Sequence, residues 1–256
     1  IMDSETFSQL LGEYMQTQQE VNAFMGSVLV VKGEEVLLSK GYGKANLEHD
    51  IANTPATKFR IGSISKQFTA AAILKLQEQD LLNVNDPLSK YLADYPEGND
   101  ITLHHVLTHS AGIPSFTGFA DYPVFKKQPI TPEEIVNRFK DLPLEFEPSS
   151  SYSYSNSGYI LLAHLIEKVS GKTYGEFLEG EFFGPLGLSD TGEERLETVL
   201  PHKASGYAYT GEYWNGDFVD MSVPIGAGNL YSTVQNLHQW MSSLRQGRVL
   251  ETTLFG

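Results

Sequence analysis

"FRIGSISKQFTAAA", residues 59–72, decides how this chain is read. Ser63 stands just ahead of a predicted helix, Lys66 follows three residues later, and a run of alanines comes next. A spacing of i,i+3 puts Ser63 and Lys66 on one helix face, within reach of each other. Two readings compete. In the plain one, Ser63 or Ser65 caps the helix and Lys66 is a solvated first-turn residue. In the chemical one, Ser63 is a nucleophile and Lys66 accepts its proton. A cation in the first turn opposes the helix dipole, at a cost of roughly a few tenths of a kcal/mol. Burial and the same dipole lower an amine's pKa and so favour the neutral, accepting form. The helix end also offers backbone N–H groups to a developing oxyanion. Ser-x-x-Lys alone is weak, since a chain with this many serines and lysines shows roughly one by chance.

A second signal lies in "SYSYSNSGY", residues 151–159. Only Tyr154 in it has an asparagine two residues on, Asn156. The stretch follows Pro148 and precedes an apolar helix expected over 157–170, so it reads as a loop held against a rigid element. A tyrosine beside a lysine can share its proton and serve as base and then acid in acyl transfer. An asparagine amide can bind a substrate carbonyl or amide and orient the lysine. Taken alone, the stretch is equally an ordinary Ser/Tyr-rich loop.

Four segments together resemble one superfamily: "FRIGSISKQFTAAAILKLQEQDLLNVNDPLSKYL", "ITLHHVLTHSAGIP", "YSYSNSGYILLAHLIEKVSGKTYGEFLEGEFFGPLGLSDTG" and "GAGNLYSTVQNLHQW". The resemblance is to the serine β-lactamase and penicillin-binding superfamily. The branch is that of class C β-lactamases, D-alanyl-D-alanine carboxypeptidases and related esterases, and the match runs in order from about residue 24. It implies that Ser63 is the acylated nucleophile and Lys66 its general-base partner. Tyr154 is then the second proton shuttle and Asn156 a substrate-positioning amide. The Tyr-x-Asn form points away from class A enzymes, which carry Ser-Asp-Asn. The implied reaction is hydrolysis through an acyl-enzyme, with no cofactor. Its substrate is a small molecule or peptide, an amide such as a β-lactam or D-amino-acid peptide. Alternatives are a carboxylic ester handled by the same Ser-Lys-Tyr set, or a catalytically silent binding protein of the same fold.

The chain departs from the family pattern in two places. Ser149 in "EPSSS" stands where relatives commonly carry glycine, which alters a turn. The third motif, Lys/His-Thr/Ser-Gly on a strand after the segment "GAGNLYST", is not found. "GKTYG" at 171–175 opens a helix, and "HKASG" at 202–206 comes too early. The expectation is therefore an incomplete sheet, completed by a further C-terminal segment or by a second polypeptide.

The implied fold is α/β of the β-lactamase/transpeptidase type, an antiparallel sheet with flanking helices plus an all-helical subdomain. Residues 1–256 make one such domain, with about 1–80 and 181–256 in the α/β part and about 80–180 in the helical part. Helices are expected near 3–20, 65–79, 131–140, 157–170, 173–183 and 232–246, with shorter turns between. The alanine-rich one at 65–79 should be buried centrally. "TLHHVLTHSAGIP" reads as a short helix stopped by Gly112 and Pro114. Two β-rich runs flank Lys32-Gly33-Glu34-Glu35 as a hairpin, the first apolar enough to be covered on both faces. "YAYTGEYWNGDFVD" reads as a turn-rich β-excursion, whose Tyr207, Tyr213 and Trp214 are candidate cleft-liners.

Composition narrows the rest. The chain has 256 residues, 41% hydrophobic and 20% charged, with a formal net charge of −14. Such acidity repels nucleic acid and anionic membrane surfaces. Cysteine is absent, which excludes disulfides, thiolate metal sites and a cysteine nucleophile. No apolar run approaches a membrane span. His105 and His109 have a metal-ligand spacing but no partnering acid cluster, so no metal is expected. The start "IMDSETF" shows no signal peptide and fits a mature or trimmed terminus, leaving an exported, periplasmic or extracellular location as the expectation.

Overall fold

The structure is a computed structural model that describes residues 3–21 and 23–251. Its first helix, α1 (Ser4–Glu20), starts where Asp3 accepts the Thr6 N–H at 2.8 Å. Strands β1 (Gly26–Lys32) and β2 (Glu35–Tyr42) form the expected hairpin. Gly33 takes φ 64 at the turn, a conformation that glycine reaches without strain. Against expectation, the apolar stretch Val28–Val31 of β1 is only half-buried. Helices cover this hairpin incompletely: α1 packs along β2, and the last helix along β1.

A small pair, β3 (Lys44–Asn46) and β4 (Ile51–Ala52), precedes the central feature. Strand β5 (Phe59–Arg60) runs through a 3-10 turn, Gly62–Ile64, straight into α2 (Ser65–Glu78). As expected, α2 is central: Phe68, Ala71, Ala72, Ile73 and Leu76 are all buried. Phe68 stacks on Trp240 with centroids 4.1 Å apart.

Helix α3 (Leu103–Leu107) opens with a reciprocal cap between Thr102 and His105. It ends earlier than the sequence suggested, because His109 already adopts the left-handed φ of 58. Gly112 has a different task from stopping that helix. Its φ is 74, and a Cβ there would stand 2.2 Å from the Phe146 carbonyl oxygen. Next come α4 (Tyr122–Phe125) and α5 (Pro132–Phe139), the latter opened by a Thr131–Glu134 capping box. Helix α6 (Asn156–Ser170) is capped by Ser155 and closed by left-handed Gly171. Its residues Ile160, Leu161, Ala163, Leu165 and Ile166 are fully buried, and it packs against α2, α3 and α5. The expected helix at 173–183 is α7 (Tyr174–Leu178), carried on by a π turn, Glu179–Phe183, into α8 (Gly184–Leu186).

The chain then returns to strands: β6 (Gly192–Glu193), the exposed hairpin β7 (Tyr207–Tyr209) and β8 (Tyr213–Asn215), and β9 (Leu230–Ser232). Helix α9 (Val234–Arg245), expected from 232, is capped by Thr233. The Ser232 hydroxyl is engaged elsewhere, 2.7 Å from that of Thr191. The antiparallel strands and flanking helices foreseen from the sequence are thus present. Among the described residues they are divided over four small sheets, and the hairpin β1–β2 shares no ladder with the three-stranded sheet β5–β9–β6.

That three-stranded sheet sets the position of Ser63. Arg60 pairs with Tyr231 of β9, which pairs on its other side with Gly192. Just outside it, Glu194 is buried and accepts from both Arg60 Nε and Nη2 at 2.8 Å. Lys203 Nζ donates to the same carboxylate at 2.8 Å. Burial alone raises a carboxyl pKa, but these two cations outweigh it and hold Glu194 below the usual carboxylate range. A bidentate pair of this kind fixes the strand end three residues ahead of Ser63.

Candidate active site

Ser63 lies in the exposed 3-10 turn at the head of α2, and its hydroxyl does not cap that helix. Nor does Ser65: its buried hydroxyl accepts the Leu230 N–H at 3.2 Å, tying α2 to β9. The capping reading of this stretch therefore has no counterpart in the structure. Instead Ser63 Oγ accepts from Tyr154 Oη at 2.7 Å and lies 3.3 Å from Lys66 Nζ.

Lys66 is only 7% exposed. Its amine donates to Asn156 Oδ1 at 2.9 Å and to the Ala227 carbonyl at 2.8 Å. It also sits over the Tyr154 and Tyr159 rings, at 4.8 and 5.5 Å from their centroids. Burial holds this amine below the ordinary lysine range, while its contact with Tyr154 pulls in the other direction. A buried amine with a lowered pKa and a hydroxyl at hydrogen-bond distance can exchange a proton. A phenol that donates to the same hydroxyl gives a second route.

Each partner is held by a different part of the fold. Asn156 is the first residue of α6, so its side chain leaves a rigid, buried helix. Its N–H donates to Ser115 Oγ at 3.1 Å and its Nδ2 to Thr117 Oγ1 at 3.3 Å. With Oδ1 on Lys66, Asn156 orients the amine. Ala227 is presented by the loop between β8 and β9. Thr69 Oγ1 donates to the Gly226 carbonyl at 2.6 Å, and Asn229 Oδ1 accepts the Gly226 N–H. Gly226 has φ 69, and a Cβ there would lie 2.6 Å from Ala163 Cβ, so only glycine lets this loop sit on α6.

The structure thus gathers Ser63, Lys66, Tyr154 and Asn156 in one cluster. Sequence reasoning missed Ser115, Thr117, Ala227 and the role of Tyr159. The first three act through small hydroxyls or a backbone carbonyl, which leave no motif. His105 and His109 do not converge: Nδ1 of the first accepts the Thr102 N–H, and Nδ1 of the second accepts the Ser155 N–H, both at 3.2 Å. Among the described residues no group of three or more His, Asp or Glu is placed to hold a metal. Tyr207 is engaged with the β3–β4 connection, donating to Glu48 and accepting the Leu47 N–H. Trp214 is 57% exposed.

The family model "Beta-lactamase" matches residues 7–254. The chain belongs to the Beta-lactamase family. This member is 30% identical over 239 residues to teichoic acid D-alanine hydrolase of Staphylococcus aureus, covering 92% of the chain and 57% of that protein. It therefore spans a little over half the length of the curated relatives it matches. Among solved structures, a penicillin-binding protein from Bacillus halodurans superposes with a TM-score of 0.82 at 30% identity, over 94% of this chain and 75% of that one. D-amino acid amidase from Ochrobactrum anthropi gives 0.83 at 26% identity, over 95% and 72%. The β-lactamase/transpeptidase fold read from the sequence is that of this family.

Proposed function

We propose that this protein is a serine hydrolase that transfers an acyl group to Ser63 and then to water. The observation that carries the reading is one hydroxyl within reach of both a phenol at 2.7 Å and a buried amine at 3.3 Å. In acylation, Ser63 Oγ attacks a carbonyl carbon while its proton passes to the Lys66–Tyr154 pair. The pair returns the proton to the departing amine or alkoxide. Water then attacks the acyl-enzyme by the same route in reverse. Lys66 and Tyr154 interact too closely for the proton to be assigned to either alone. Asn156 holds Lys66 and is the amide closest to a substrate carbonyl bound at Ser63.

The substrates favoured are acyl groups of the D-amino-acid kind, as amides first and esters second. Support comes from what the relatives are named for: one acts on D-alanine of teichoic acid, another on D-amino acid amides. Those names also favour work at the cell envelope, outside the cytoplasm. No described helix is long and apolar enough to cross a membrane.

A fluorophosphonate probe tests the reaction. The expected result is one adduct, on the peptide carrying Ser63, and none in Ser63→Ala. Labelling of the variant equal to that of the parent removes Ser63 from the mechanism. A D-alanyl amide, a D-alanyl ester and a chromogenic cephalosporin then separate amide from ester chemistry. Silence on all three, with no labelling, favours a binding protein that kept the fold without turnover.

A further inference from the structure

One residue holds Tyr154 from both sides. The carbonyl of His109 accepts the Ser153 N–H at 3.0 Å. Its ring atom Nδ1 accepts the Ser155 N–H at 3.2 Å. Between these bonds the imidazole lies against the Tyr154 ring, with centroids 4.6 Å apart and planes tilted by 37°. The same imidazole contacts Tyr159 of α6 at 5.1 Å and meets Tyr152 edge-on at 5.9 Å. Tyr154 itself is 42% exposed, so little else buries it.

We propose that His109 is the positioning residue for Tyr154, acting as a neutral imidazole that pins residues 153–155 so that the phenol meets Ser63. This rests on the acyl-transfer reading above. A backbone N–H only donates, so Nδ1 is the acceptor and the ring proton resides on Nε2. Protonating Nδ1 sets a donor against a donor and releases the loop. The titratable groups facing the ring are Lys66 from α2, Tyr152 and Tyr154 from the loop, and Tyr159 from α6. Only Lys66 can add positive charge, and it opposes a second cation. Burial first, and Lys66 second, hold His109 below its ordinary 6.5. The sign follows: the grip on Tyr154 is intact at neutral pH and is lost as pH falls through a value under 6.5. The left-handed φ of 58 at His109 aims both its carbonyl and its ring at the loop.

Two variants separate acceptor from ring. His109→Asn keeps an oxygen where Nδ1 was and is a residue type that adopts left-handed φ readily. His109→Phe keeps a ring and removes the acceptor. Turnover in the His109→Phe variant should fall about 10²-fold in kcat with KM little changed. The His109→Asn variant should keep most of kcat and lose the additional fall below 6.5 that the parent shows on top of any limb set by Lys66. Equal losses in both variants that follow a fall in melting temperature, or the same additional fall in His109→Asn, overturn the proposal. Nitrogen-15 NMR of histidine-labelled parent protein gives a readout independent of activity and of variant folding. The expected state is the Nε2–H tautomer, titrating below 6.5; a proton on Nδ1, or a pKa above 6.5, overturns it. A parent protein that shows this tautomer yet reacts with no acylating probe instead sinks the acyl-transfer reading alone.

Discussion

The amine of Lys66 and the carbonyl of Ala227 are 2.8 Å apart, although the two residues are separated by 161 positions. That bond depends on the neighbouring Gly226, whose left-handed backbone presses on Ala163 and the Tyr159 carbonyl. Gly226→Ala forces the loop off α6 and carries the Ala227 carbonyl with it. The expected destabilisation is about 1–3 kcal/mol, from overpacking. Labelling of Ser63 should slow in step, because Lys66 loses one of its two fixed acceptors. A melting temperature and a labelling rate both unchanged would contradict this account.

In the proposed reaction, Lys66 sets the pH dependence of acylation. Burial lowers its pKa, so the neutral amine becomes available on the acid side of the ordinary lysine value of 10.5. Acylation should therefore rise with pH through a midpoint under 10.5. In Lys66→Ala the limb should disappear and the rate fall by roughly 10²–10⁴. A parent rate that shows no such rise at any pH below 10.5 excludes Lys66 as the proton acceptor.

Glu194 is the anchor of the strand end that delivers Ser63. Its pKa is lowered by Arg60 and Lys203 against the effect of burial. A carboxyl of this kind contributes stability that is full above its unfolded value, about 4.5, and is lost as pH falls through its folded value. Glu194→Gln leaves two cations without their charge partner. Because Arg60 is 38% exposed at its side chain, the loss should sit near the lower end for a broken buried pair, about 2–3 kcal/mol. Urea unfolding at neutral pH measures it. The variant should also show a shallower decline in stability on acidification, and a slope equal to the parent's would refute the assignment.

Ser149 adopts φ 71, in the region where a side chain is strained and glycine is not. Its N–H donates to the Ser110 carbonyl at 2.8 Å, so the turn is held in place regardless. Ser149→Gly should stabilise the protein by roughly 0.5–1 kcal/mol, the strain relieved less the extra freedom glycine gains when unfolded. Labelling of Ser63 should be unaltered. A drop in melting temperature would show that the strain reading is mistaken.

Much of this site was legible in the sequence because its chemistry sits in side chains with distinct spacing. Ser63 and Lys66 share a helix face by geometry alone, and Tyr154 and Asn156 stand at the start of a helix expected over 157–170 and found over Asn156–Ser170. What escaped was held by groups every residue carries or by hydroxyls common on any surface. The Ala227 carbonyl gives no compositional sign, and Ser115 and Thr117 look like turn residues. The strands were harder still. β5, β6 and β9 are only two or three residues long, too short for an alternating pattern to register, and β9 pairs with partners far away in sequence. The end of α3 was misplaced for a related reason. A left-handed histidine breaks a helix as firmly as a glycine, but the residue type does not announce it.

Lys66 reaches across to Asn156 and Ala227, over 90 and 161 positions. During synthesis the ribosome releases Ser63 and Lys66 long before either of those partners has left the exit tunnel. On the proposed mechanism, a nascent chain therefore carries Ser63 as an ordinary, unreactive alcohol. The proposed chemistry then arrives late, when the segment around Ala227 has emerged and folded back over what preceded it.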